Sequence, residues 1–244
     1  MRKLLLLALL AIAAQLSAEQ LVVVSTTWVG AIARAGGATN IRVLAPAEMK
    51  HPAEYEMSPQ DILAAGKAAL IIYSGWEGFA ERLAETAGEG KIKTLTVECT
   101  NSPAILVREA RKVAAALGTE AACEKWAASF NTFVAGLKKK VNAVYPEGSL
   151  AAIQRMQSPV AEWTGWELLE QYGPGEPSPA LLLKIINAKP AIIIDNWHGP
   201  SGAGLAESLP GAKYFQFINF PGKDGTKTLE DVFQYNADLL LEGR

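Results

Sequence analysis

The sequence predicts an α/β fold of two similar lobes, each built on a mostly parallel sheet, joined by one long backbone helix. Three observations support it. Short apolar, β-branched runs alternate with helical stretches, the pattern of βαβ units. The order Ser-Pro, helix, apolar strand and Trp-bearing exit occurs twice: Ser58-Pro59 leading to Leu70-Ile71-Ile72-Tyr73-Ser74-Gly75-Trp76-Glu77, and Ser178-Pro179 leading to Ile192-Ile193-Ile194-Asp195-Asn196-Trp197-His198. Between the copies, residues 120–144 form a helical stretch with no Pro and a single Gly, Gly136.

Taken in order, residues 21–25 read as a buried parallel strand and 28–35 as a helix stopped by Gly36-Gly37. Residues 41–44 form the next strand, followed by a loop with Pro46 and His51. Ser58 is an N-cap with Pro59 at the first helical position and Asp61 at capping-box spacing, so a helix runs to about Ala65. Residues 69–73 are a strand, and 103–117 and 120–144 are helices, the second about 37 Å long and stiff enough to act as a strut. Lys138-Lys139-Lys140 near its end suits the helix dipole better than a binding patch. In the second half, 150–154 is a strand, 166–172 a helix, 178–186 a Ser-Pro-capped helix and 191–195 a strand.

Residues 1–18 read as a secretory signal peptide: Arg2-Lys3, an apolar run, then Ser17-Ala18. The expected organisation is therefore 1–18 leader, 19–118 N-terminal lobe, 119–146 connecting helix and 147–244 C-terminal lobe. After cleavage the chain is exported to the periplasm or its equivalent and does not itself span the membrane. The mature part carries 21 basic and 25 acidic residues, a formal charge of −4. That balance argues against nucleic acid as a partner. Cys99 and Cys123, an even pair in an exported chain, are consistent either with a disulfide or with two free thiols.

The chain has only two histidines, His51 and His198, each where a strand or loop hands over to a helix. Neutral imidazole is the commonest metal ligand, although a lone histidine also serves as a hydrogen-bonded loop residue. Tryptophans at element ends either pack or line a cleft; Trp163 and Trp166 suit packing, Trp76 and Trp197 a cleft wall. Neither His-Glu-x-x-His nor Gly-x-Ser-x-Gly occurs, so an enzyme is not the expected reading.

Several segments resemble those of the solute-binding proteins of zinc and manganese ABC importers, the TroA-like family. They are Val22-Val23-Val24-Ser25-Thr26-Thr27, Ala35-Gly36-Gly37, His51-Pro52-Ala53-Glu54-Tyr55-Glu56-Met57-Ser58-Pro59 and Tyr73-Ser74-Gly75-Trp76-Glu77. The resemblance implies two α/β lobes around a backbone helix and a metal held by three histidines and one carboxylate. His51 takes the first ligand place. Glu98, before Cys99-Thr100-Asn101-Ser102-Pro103, takes the second. Arg155-Met156-Gln157-Ser158 stands at the third, and Asn219 replaces the closing aspartate.

Because that set is incomplete, the site is expected to draw on His51, His198, Asp195 and Glu98, with Gln157, Glu54, Glu77 and Asn219 in supporting places. Asp195 has two other readings: orienting His198 or a loop amide, or capping the turn at Asn196. Two nitrogens with one or two oxygens suit Zn²⁺, while more oxygen suits Mn²⁺ or Fe²⁺. The function expected is capture of a divalent transition metal between two lobes, zinc first, by a monomer that delivers it to the membrane permease of an ABC importer. The rivals are a receptor for a corrinoid, haem, siderophore or other metal chelate, and a metal-dependent hydrolase.

Overall fold

The computed structural model describes residues 20–86, 88 and 91–243. The expected leader, residues 1–18, lies outside them. Contacts divide the chain into two units. The first comprises the described residues up to Cys99 together with Ala104–Ser129 and Gly222–Leu229, and the second Thr100–Pro103, Phe130–Pro221 and Glu230 onward.

The first unit carries β1 (Val22–Val24), α1 (Thr27–Ala35), β2 (Ile41–Val43), α2 (Pro59–Ala65), β3 (Leu70–Tyr73), α3 (Ala80–Thr86) and β4 (Lys93–Thr96). Its sheet has the order β2-β1-β3-β4, all parallel, with Val22 opposite both Ile41 and Leu70, and Leu70 opposite Lys93. Such a sheet is covered on both faces, which explains the fully buried strands β1 and Leu70-Ile71-Ile72. Val23, Leu44, Met57, Ile71, Phe79 and Leu83 form one core cluster. The helix starts follow the sequence closely. Thr26 caps α1 by accepting from the Val29 amide, and Ser58 with Asp61 makes the anticipated capping box. Gly36 closes α1 where a Cβ would lie 2.7 Å from Val113 Cβ, on α4 (Pro103–Leu117), so a side chain there would force the helix away.

The second unit repeats the plan with β5 (Leu150–Gln154), α6 (Pro159–Thr164), β6 (Glu167–Tyr172), α7 (Pro179–Ala188), β7 (Ile192–Asn196), α8 (Ala203–Ser208) and β8 (Lys213–Phe217). The order is β6-β5-β7-β8, again all parallel. Ala152, Tyr172, Ile185, Ile193, Leu205 and Leu209 form its core cluster. Helix α5 (Glu120–Val144), 25 residues long, contributes residues to both units, and α9 (Leu229–Glu242) closes the chain.

One expected element is corrected. Residues 166–172 form the edge strand β6 and not a helix. Gly165, left-handed at φ 78°, ends α6 and turns the chain so that Glu167 can pair with Leu150. Edge pairing along β5 then decides a segment whose mixed pattern suits either state. Trp163 and Trp166 are buried, and the Trp166 indole donates to the Tyr145 carbonyl at 3.1 Å, as expected for packing residues. Both cysteines are free thiols.

Candidate functional site

The His51 segment is a short 3-10 turn, Pro52–Glu54, fixed by the residues that follow it. His51 stands at its N-cap with no side-chain capping hydrogen bond, and both His51 and Glu54 are exposed. Tyr55 then packs edge-on against Phe79, with ring centroids 5.4 Å apart, and donates its hydroxyl to Asp61 at 2.6 Å. Asp61 also accepts from the Ser58 amide and hydroxyl and from Arg42. Burial pushes the Asp61 carboxyl up, but these donors outweigh it and hold the pKa down at about 2. The sequence nominated His51; the anchor that holds its turn, Tyr55 on Asp61, carried no separate signal beyond the capping box.

Glu77 follows β3 and is 4% exposed. It accepts from the Ser25 hydroxyl, from the Ser74 amide and hydroxyl, and from the Gly75 amide at 2.7 Å. The carboxylate thus closes its own loop and ties it to the end of β1. Cys99 lies against this cluster: burial, with the Glu77 charge adding to it, pushes its thiol pKa well up, away from the reactive thiolate. Glu98 points elsewhere. Its carboxylate, half exposed, pairs with Arg108 at 2.5 Å, while its amide donates to the buried Glu109. Glu109 is itself paired with Arg108 and Lys112, which hold its pKa down against the upward push of burial.

In the second unit His198 is 6% exposed. Its ring stacks on Phe220 at 3.7 Å and meets Trp197 edge-on at 4.9 Å. Asp195, fully buried, does not aim at this ring through any hydrogen bond described. Its carboxylate accepts from the amides of Asn196, Ser201 and Gly202 and from the Tyr214 hydroxyl at 2.7 Å. Of the readings open from sequence, the strand-end carboxylate that caps the turn is the one these bonds describe. Burial and the bond to Asp195 push the Tyr214 pKa up.

Gln157 and Asn219 are brought together. The Gln157 amide donates to the Asn219 side-chain oxygen and to the Phe217 carbonyl, and Asn101 donates to the Asn219 carbonyl at 2.8 Å. All three are buried. A cavity of about 10 Å³, enough for one water, touches Asn101 and Gln157, and Asn101 Oδ1 is buried without a partner. Asn101 was not singled out by the sequence, because an Asn before Ser-Pro reads as an ordinary turn. A separate pocket of about 470 Å³ lies beside Pro177, Leu182, Pro200, Ser201 and Gln216, and none of the nominated residues lines it.

His51, Glu54, Glu77 and Glu98 therefore belong to the first unit, and Asp195, His198, Gln157 and Asn219 to the second. Among the described residues, no group of three or more His, Cys, Asp or Glu is gathered to hold a metal. None of the described helices is long and apolar enough to cross a membrane.

Comparison with known proteins gives a consistent family. The model of the family described as zinc-uptake complex component A, periplasmic (ZnuA), matches residues 22–143, half of the chain. No curated protein sequence matches. Among solved structures, the laminin-binding protein Lmb of Streptococcus agalactiae, described as a bifunctional protein with adhesin and metal transporting activity, is similar. It shares 19% identity over 92% of this chain and 99% of its own, with a TM-score of 0.67. The laminin-binding protein Lbp of Streptococcus pyogenes is 18% identical over 92% and 98%, TM-score 0.65. An Mn-bound periplasmic metal binding protein from candidatus liberibacter asiaticus is 18% identical over 92% and 99%, TM-score 0.66. At these identities the structural likeness establishes the fold.

Proposed function

The chain belongs to the periplasmic zinc-uptake component A family, and from that premise we propose that it is an extracytoplasmic receptor that captures a divalent transition metal and delivers it to the permease of an ABC importer. The family match carries the reading, because the matched residues 22–143 include the whole His51-to-Tyr55 turn. Two parallel α/β units sharing one long helix agree with it. So does the exposed His51 imidazole, held by an anchored turn and not spent on capping. Zinc is the first candidate cargo, with manganese and iron as the alternatives.

His51 and His198 are the two imidazole nitrogens the chain can offer a metal, and no step of this role needs catalysis. A metal binds only neutral imidazole, so affinity falls as the medium becomes acidic. Elemental analysis of protein purified from its export route, with competition among zinc, manganese and iron, tests the cargo. His51→Ala and His198→Ala should each lower metal affinity at least tenfold in isothermal titration. Unchanged binding in either variant removes that residue from the ligand set.

A further inference from the structure

We infer that the second unit carries a binding site of its own for a small organic cation, an ammonium or guanidinium group on an apolar body, in the pocket of about 470 Å³ between α7 and α8. None of the residues nominated for metal lines this pocket, so the site stands beside the receptor reading and does not depend on it. All of its lining residues belong to the second unit.

The pocket is built at the carboxyl ends of strands, where open α/β sheets hold their ligands. The loop after β6 supplies Glu176 and Pro177, and the loop after β7 supplies Pro200 and Ser201. Gln216 stands one residue before the end of β8, and Leu182 comes from α7. The volume falls within the range of about 300–1,000 Å³ usual for small-molecule sites. Pro177, Leu182 and Pro200 give it a wall on which the carbon of a ligand leaves water.

Its polar groups are acceptors of one sign. Among the described residues that line it, none is Lys, Arg or His, and Glu176 alone carries a formal charge. Glu176 is exposed and makes no ion pair among the described residues. The Gln216 amide nitrogen donates to the Tyr214 hydroxyl at 3.0 Å, and that hydroxyl donates to the buried Asp195. The Gln216 amide is thereby held with its oxygen uncommitted. Ser201 donates its backbone amide to Asp195, but its hydroxyl is buried without a partner and has no bond to give up on meeting a ligand. Carboxylate, amide oxygen and hydroxyl can all accept from a protonated nitrogen, and the charge-assisted bond to the carboxylate is the strongest of the three. An anion would face the Glu176 charge with no basic residue to offset it, and like charges brought together are disfavoured.

The test uses the full mature chain and three probes with one phenyl body: phenethylamine, protonated at neutral pH, the uncharged 2-phenylethanol, and the anion 3-phenylpropionate. Amide chemical shifts in nuclear magnetic resonance report where each binds. Phenethylamine should move the amides of Ser201, Gly204 and Gln216 saturably and bind at least tenfold more tightly than 3-phenylpropionate. Glu176→Gln should weaken phenethylamine at least threefold. Glu176→Lys, a change at an exposed position, should reverse the preference and bring 3-phenylpropionate to the same residues. The absence of saturable shifts there, or equal affinity for the three probes, overturns the inference. So does a phenethylamine response that survives Glu176→Lys unchanged. None of these outcomes bears on the metal-receptor reading, whose histidines lie outside the pocket.

Discussion

Replacing Asp61 by Asn tests how the His51 turn is held. In the folded chain the carboxylate is 4% exposed and accepts from Tyr55 at 2.6 Å, Ser58 Oγ at 2.7 Å, the Ser58 amide at 2.9 Å and Arg42 at 3.1 Å. Its pKa falls from 3.8 to about 2. That depression is equivalent to about 2 kcal/mol of stability at neutral pH. Because the folded value is the lower one, the contribution is complete above the unfolded pKa and is lost as pH falls through about 2. Asp61→Asn should therefore cost about 2 kcal/mol at pH 7, or roughly 4–8 °C in Tm for a chain of this size. The deficit relative to the parent should shrink steadily between about pH 5 and pH 2. Urea denaturation of both proteins across that range, followed by tryptophan fluorescence, measures it. A deficit that is the same at both ends of the range would refute the electrostatic account and leave only a steric effect. Since Tyr55 and Ser58 follow His51 in the same segment, metal affinity should also fall, by less than in His51→Ala.

Two further substitutions separate scaffold from site. Asp195→Asn places an amide group against three backbone N–H donors and should cost about 3 kcal/mol in denaturation, while the folded protein keeps its metal affinity within about threefold. A variant as stable as the parent but unable to bind metal would return Asp195 to the ligand set. Gly222→Ala should destabilise by more than about 2 kcal/mol, because φ is 143° there and a Cβ would lie 2.2 Å from the Ala47 carbonyl oxygen. Parent-like thermal melting would show that this approach relaxes without cost.

The fold was legible because its signals are local. Ser58 and Ser178 each cap a helix by a bond to an amide three residues on, and the apolar runs at β1, β3 and β7 need no partner to be read as buried strands. The one misread element, β6, lies on a sheet edge where half-buried Leu168, Leu169 and Glu170 show no clear period, and pairing with a strand earlier in the chain decides. The site was less legible for a related reason. Type and position nominate a carboxylate, but what it binds depends on where a loop returns. Asp195 is satisfied by amides six and seven residues later, and Glu77 by a hydroxyl 52 residues earlier. Gln157 and Asn219, 62 residues apart, meet through an amide pair that no spacing rule anticipates.

The two units show what the acidic residues at the strand exits are bonded to. A parallel sheet ends each strand in a loop whose amides have no ladder partner, and buried amides must be satisfied. One ionised carboxylate can satisfy several of them at once, with stronger bonds than a neutral acceptor makes. The first unit has Glu77 just after β3 in this role, and the second has Asp195 within β7, one residue before its end. The repeat in sequence aligns Glu77 with His198, yet the residue that does the equivalent work is Asp195, three positions earlier. The second copy's aligned position holds an imidazole, which stacks on Phe220 and meets Trp197 edge-on. In the second unit the carboxylate that binds the loop amides sits within the strand, and the exit carries the one histidine of this unit, an imidazole that can bind a transition metal while uncharged.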